Sequence, residues 1–303
     1  MNKGCNTPKN NLLKKIRSKW LLKEIFDNLQ NNKSLEIIKY NKNIQERLEI
    51  GINDYKNEYL KTEIEIFPKK YRGKKQIKII NIPNEVNKSH YHIYFNNNLT
   101  ETKKTYFTGS DNISKIRIIL DNEFNSFNGL FYYCRHIEKI NFKKFNRKDI
   151  IDMSEMFSFC SILKEINFNN FNTNNVNYMN SMFFKCVSLE KLDLSNFNTN
   201  NVTTMRRMFY YCKSLKELNL SNFNTNNVVD MSYMFCDCRS LKELNLSNFS
   251  ANKVKDIGLM FCGCRSLEEL NLLNFNTNNV TSMIGPFTGC SFEFKKKVKK
   301  TSE

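Results

Sequence analysis

Hydrophobic positions along the chain fall into three regimes with different periods. Between residues 12 and 58 they recur with helical spacing. Leu13, Ile16, Trp20, Leu21, Leu22, Ile25, Phe26 and Leu29 form one stripe; Leu35, Ile38, Ile44 and Leu48 form a second. Gln30 to Lys33 separates the two, Ser34 is placed to cap the second helix, which divides near Asn41, and Gly51 closes the second stripe. From Tyr59 the period shortens to two. Ile64 and Ile66 alternate with Glu63 and Glu65, Ile77 and Ile79 flank Lys78, Tyr91, Ile93 and Phe95 flank His92 and Tyr94, and Ile116 and Ile118 flank Arg117. These are short strands separated by turns such as Tyr71-Arg72-Gly73 and Gly109-Ser110-Asp111. Residues 59–123 are therefore predicted to be a β-rich cap.

In the third regime, residues 124–292, the period is 26. Cys134, Cys160, Cys186, Cys212, Cys238, Cys264 and Cys290 are evenly spaced with no insertion between copies. A fixed step of this size means one supersecondary unit repeated, each copy burying its apolar face on the next. The copy from Leu215 to Ser240 gives the plan. Leu215, Leu218 and Leu220 form L-x-x-L-x-L, a strand. Asn224 to Asn227 makes a turn, since asparagine satisfies turn backbone locally and tolerates left-handed φ. Val228, Met231, Met234/Phe235 and Cys238 follow with helical spacing. Six full copies begin at Ile137, Leu163, Leu189, Leu215, Leu241 and Leu267, after a half-unit beginning near Phe124.

The M-x-x-M-F-x-x-C-x-S-L and L-S-N-F-N-T-N-N-V strings resemble the BspA-type leucine-rich repeats, the 26-residue surface-protein repeats of bacteria and protists. The resemblance spans roughly residues 124–292. It implies an α/β leucine-rich-repeat solenoid with a parallel β-sheet on one face and short helices on the other, used for protein–protein contact or adhesion, with no catalytic residues. The expected order is a disordered stretch (1–11), a helical module (12–58), the cap, the solenoid and a basic tail (293–303). Within the helical module, Trp20 to Leu29 is similar to the start of an F-box, which would make the chain a substrate receptor for a ubiquitin ligase.

Composition changes this picture only at the flanks. The net charge is +17, yet residues 130–290 carry 18 Lys+Arg against 14 Asp+Glu, while residues 1–129 carry 24 against 14. The repeats are near-balanced, so nucleic acid is not the expected partner. Part of the Asn and Lys excess fits an AT-rich coding bias. No apolar run is long enough for a membrane helix, and no secretory signal is visible in residues 1–15. Ten cysteines without a signal read as free thiols. A cytoplasmic protein is expected, with the cell surface or the nucleus as alternatives; the Lys295–Lys300 run is a soluble end or an import string.

The candidate chemistry is sparse. Cys236-x-Cys238 and Cys262-x-Cys264 have the composition of a zinc site, but the ladder register reads as packing, as do the repeated Met pairs. His90, His92 and His136 lie in no nucleophile motif. No catalytic residue, cofactor, metal or small-molecule substrate is expected. What differs between copies is a set of aromatic and basic residues on the side away from the strands. Tyr132, Tyr133, Arg135, Phe184, Lys185, Arg206, Arg207, Tyr210, Tyr211 and Tyr233 are of the types enriched at interaction hot spots. They are the expected contact surface for a protein partner.

Overall fold

A computed structural model describes residues 16–28, 41–49, 52–82, 88–123, 126–168 and 171–294. The expectations placed on residues 1–11, Leu12, Leu13, Leu29 to Leu35, Ile38, Gly51, Phe124 and the basic tail from Lys295 lie outside them. The chain divides into two units, Met1–Lys61 and Thr62–Glu303.

In the first unit, helix α1 (Lys19–Asn28) begins where the Ser18 hydroxyl accepts the Leu21 amide, at 3.2 Å, and it buries Leu22. Helix α2 (Lys42–Leu48) is capped by the Asn41 side chain, which accepts the Ile44 amide. Its buried residues, Ile44 and Leu48, are one turn apart. Glu49, at φ 54°, ends it. A third helix, α3 (Ile52–Leu60), lies in the helical module expected over residues 12–58 and runs two residues past it, so Tyr59 is helical rather than the start of the strands.

The second unit is strand-rich. β1 (Thr62–Pro68) alternates between the two faces. Ile64 and Ile66 are fully buried, while Glu63 and Glu65 meet Arg117 and Lys115 of the neighbouring strand. A five-stranded sheet runs β3 (Tyr91–Phe95), β5 (Ile116–Leu120), β1, β6 (Ile137–Lys144), β7 (Glu165–Asn167). The first four are antiparallel; β6 and β7 are parallel. β6 thus belongs both to the cap and to the first repeat, and the two share one sheet. β2 (Ile77–Lys78) and β4 (Tyr106–Phe107) pair separately. Gly109 is required where its chain passes Arg72, because a Cβ there would lie 2.4 Å from the Arg72 carbonyl carbon.

Beyond β7 the strands are three residues long and recur every 26: β8 (Lys191–Asp193), β9 (Glu217–Asn219), β10 (Glu243–Asn245) and β11 (Glu269–Asn271). β8 pairs with β9 and β10 with β11, in parallel and offset by one repeat. A second ladder of single bridges, Asp152 to Tyr178 to Thr204 to Asp230 to Asp256 to Ser282, keeps the same offset. Between the ladders Phe131, Phe157, Phe183, Phe209, Phe235, Phe261 and Phe287 stack face to face. Their centroids are 5.4 to 5.7 Å apart, and their planes lie within 12° of parallel.

The short helices expected opposite the strands are absent; no described residue from 126 to 291 is helical. The hydrogen bonds explain why. From Met205 to Cys212 the backbone donors alternate in destination. Met205, Arg207, Phe209 and Tyr211 donate to Asp230, Ser232, Met234 and Cys236 of the next repeat, while Met208, Tyr210 and Cys212 donate three residues back. An α-helix needs every amide for its own i−4 carbonyl. Here half of them join neighbouring repeats, and the segment is two successive turns. Each turn ends in left-handed backbone, which gives two columns of positive φ: Gly129, Glu155, Ser181, Arg207, Tyr233, Leu259, Gly285, and Tyr133, Phe159, Lys185, Tyr211, Asp237, Gly263, Gly289.

Asparagine and cysteine also join the repeats. The amides of Asn201, Asn227 and Asn279 each donate to a carbonyl in the preceding copy, at 2.7 to 2.8 Å. The Asn content is therefore structural in these columns, beyond any coding bias. The thiols of Cys160, Cys186, Cys212, Cys238, Cys264 and Cys290 donate to the carbonyl of the phenylalanine 29 residues earlier, at 3.1 to 3.2 Å. Burial pushes the thiols of Cys160, Cys186, Cys212, Cys238 and Cys264 up, that of Cys212 to about 12.

Candidate functional site

The turn segments build the candidate site because they leave side chains on the outside of the left-handed corners. Most L-residues enter that backbone region at a cost of about 1–2 kcal/mol, which Gly and Asn largely avoid. The chain is rich in Asn, yet the corners of its first five copies carry Tyr133, Glu155, Phe159, Ser181, Lys185, Arg207, Tyr211, Tyr233 and Asp237. Glycine takes these corners only towards the two ends of the stack, at Gly129 and, alongside Leu259, at Gly263, Gly285 and Gly289. The backbone does not select the aromatic and basic residues; it tolerates them.

These residues touch one another in sequence along the stack. Tyr132 and Tyr133 are 4.9 Å apart, Tyr133 and Phe159 4.4 Å, Phe159 and Phe184 4.9 Å, Phe184 and Tyr210 5.2 Å, Tyr210 and Tyr211 5.1 Å, and Tyr210 and Tyr233 5.8 Å. Cations lie over the rings. Arg135 is 4.2 Å from the Tyr133 centroid, Lys185 4.7 Å from that of Phe159, Arg207 5.1 Å and Arg206 5.5 Å from that of Tyr233, and Lys213 4.6 Å from that of Tyr211. All ten residues singled out in the sequence are thus brought together in one stripe that runs over five successive copies. Two of its members were missed. Phe159 lies between Tyr133 of the copy before it and Phe184 of the copy after it, and Arg239 lies 5.8 Å from the Tyr211 ring. Aligning the position before each cysteine would have found Phe159, which falls in register with Tyr133, Lys185 and Tyr211.

The electrostatics of the stripe favour an anionic visitor. Arg206 faces Asp230 at 3.4 Å and Arg239 faces Asp237 at 2.8 Å. Among the described residues Arg135, Lys185, Arg207 and Lys213 have no carboxylate within ion-pair distance, and Arg207 Nε is shut off from solvent without a hydrogen-bond partner. Burial, followed by the Cys236 thiol, raises the Tyr210 phenol, and burial raises that of Tyr132, so both remain hydroxyl donors at neutral pH.

The strand face offers less. From Ile137 to Glu217 its charges pair between copies, as Lys139–Glu165 (2.6 Å), Lys164–Glu138 (3.0 Å), Lys191–Glu217 (2.5 Å) and Lys216–Glu190 (2.8 Å). A shallow recess there is lined by Lys191, Leu192, Asp193, Ser195, Glu217, Leu218 and Asn219. The C-x-C pairs do not assemble thiolates: among the described residues no group of three metal-ligating side chains includes a cysteine. No described helix is long and apolar enough to cross a membrane.

A family model described as "Mycoplasma protein of unknown function, DUF285" matches residues 125–219 and 217–301, over half of the chain. No curated protein and no solved structure matches. The chain belongs to the DUF285 family.

Proposed function

We propose that this DUF285 chain is a non-enzymatic repeat protein that holds a protein partner against the aromatic–cationic stripe, and that its repeats form a BspA-type leucine-rich-repeat solenoid. The observation that carries the reading is the placement of rings and cations on left-handed corners, where the backbone would be better served by Gly or Asn. Backbone cost retained at a surface is a mark of function. Tyr and Arg supply large contact area and charge-assisted bonds at interfaces. Unpaired cations over the rings suit an acidic segment of a partner, and the rings suit apolar residues within it. The near-balance of charge over the repeats and the absence of a Gly-rich phosphate loop speak for a protein rather than a nucleotide ligand.

The test is Arg206→Ser, Arg207→Ser, Tyr210→Ser and Tyr211→Ser combined. All four side chains project from the turns, and none is in the buried Phe, Met or Cys columns. Affinity purification with the parent chain should retain a partner that the quadruple variant loses, while the circular dichroism of the two proteins agrees. A partner list unchanged by the four substitutions refutes the reading.

A further inference from the structure

Two of the chain's three histidines, His90 and His92, lie beside carboxylates of the cap, at Glu123 and Asp121. The pairing of β3 with β5 puts Tyr91 opposite Leu120, which brings His90 beside Asp121; the Asp121 amide donates to the His90 carbonyl at 3.0 Å. Glu123 follows two residues on. One donor atom from each of His90, Asp121 and Glu123 lies within 4.8 Å of the other two. We propose that these three side chains form a site for a borderline divalent transition cation, of which Zn2+ is the representative.

Three features support it. The first is spacing. His90 Nδ1 lies 3.5 Å from a Glu123 carboxylate oxygen. That is longer than the roughly 2.9 Å of an N–H···O bond. It is close to the edge of about 3.3 Å that separates two ligands on a tetrahedral cation with bonds of about 2.0–2.1 Å. The second is support behind the ligands. His92, in β3 two residues after His90, stands between two carboxylates, with Nε2 3.5 Å from Asp121 and Nδ1 3.2 Å from Glu101. A relay of this kind orients a metal-binding carboxylate and raises its basicity. The third is rigidity. Arg147 is completely buried and donates to the carbonyls of Asp121 (3.1 Å) and Asn122 (2.9 Å), while Asp149 matches its charge. The turn that carries two of the three ligands is held by the core rather than by the surface.

One nitrogen and two carboxylates leave part of a tetrahedral or octahedral shell for water, and they suit Zn2+, Mn2+ or Fe2+ better than the all-oxygen preference of Ca2+ and Mg2+. The cation would tie the start of β3 to the end of β5 at the outer edge of the sheet.

Co2+ added to the full chain at neutral pH distinguishes this site from the thiols. The expected result is one equivalent bound with visible d–d bands and no thiolate-to-cobalt charge-transfer band, displaced by Zn2+ and not by Mg2+. His90→Ala should abolish uptake, His92→Ala should weaken it roughly 10–100-fold, and His136→Ala should leave it unchanged. Glu123→Gln guards against misfolding, because Glu123 is half-exposed and the substitution keeps its shape. A folded Glu123→Gln protein that binds Co2+ as tightly as the parent overturns the proposal. So does the absence of uptake, or uptake accompanied by a thiolate band.

Discussion

Phe209→Ala tests whether the repeats are held by a continuous stack. Phe209 is fully buried between Phe183 and Phe235, both centroids at 5.6 Å and both planes within 10° of parallel. Losing the ring forfeits about 2 kcal/mol of transfer free energy. A residual cavity of about 50 Å3 adds about 1 kcal/mol, and the two ring contacts contribute about 0.5–1.5 kcal/mol each. The total, about 4–6 kcal/mol, reaches the upper end of measured Phe→Ala losses of about 3–5 kcal/mol. Phe287, at the end of the same column, stacks on Phe261 alone, touches Phe294 edge-on and is only half-buried. Phe287→Ala should cost about 2 kcal/mol by the same arithmetic. Urea unfolding followed by far-ultraviolet circular dichroism measures both. If the two variants lose equal stability, or Phe209→Ala loses less than about 1.5 kcal/mol, the stack is not what couples one repeat to the next.

Four further outcomes follow from the same structure. Arg147→Met should destabilise the chain by about 2–4 kcal/mol, since it leaves two part-buried carbonyls without their donor, and Arg147→Lys should recover part of this; a loss under about 1 kcal/mol in thermal or urea unfolding would contradict it. The Arg147 guanidinium holds the Asp149 carboxyl below its ordinary value, so this contribution is fully present above the unfolded value of about 3.9 and is lost as pH falls through the lower folded value; a stability profile that instead fell between pH 5 and 7 through this pair would be inconsistent. Among the described cysteines Cys262 alone is half-buried and the other eight are buried, so mass-mapped alkylation of the native protein should modify Cys262 well before Cys160, Cys186 or Cys212; equal rates would show that the column is open to solvent. Lys185→Asn relieves a left-handed lysine at φ 58° and should raise stability by up to about 1 kcal/mol while weakening partner binding; a substantial loss of stability would remove the argument from backbone cost.

The repeat was legible because its 26-residue step needs no structural inference, and the Phe, Met and Cys columns follow from it directly. The helices were misread because two successive turns place buried residues three and four apart, as a helix does. Val202, Met205, Met208/Phe209 and Cys212 fit either arrangement, and only the destination of the amides separates them. The stripe was visible as variation between copies, but the left-handed corners beneath it were not, since Tyr and Lys are poor markers of positive φ. The Cys thiols were read as small apolar groups; their bonds to phenylalanine carbonyls depend on a neighbour 29 residues away. The His90–Asp121–Glu123 group and the buried Arg147 were illegible for the same reason. Antiparallel pairing of β3 and β5 joins residues about thirty apart, and no local pattern announces it.

The central claim is that the partner lies on the stripe and not on the strands. A photo-crosslinking amino acid placed at Tyr210 should capture the partner, and the same probe at Glu217, on the strand face of the same repeat, should not; adding Arg206→Ser and Arg207→Ser should abolish capture from Tyr210. Capture from Glu217 with none from Tyr210 would contradict the account.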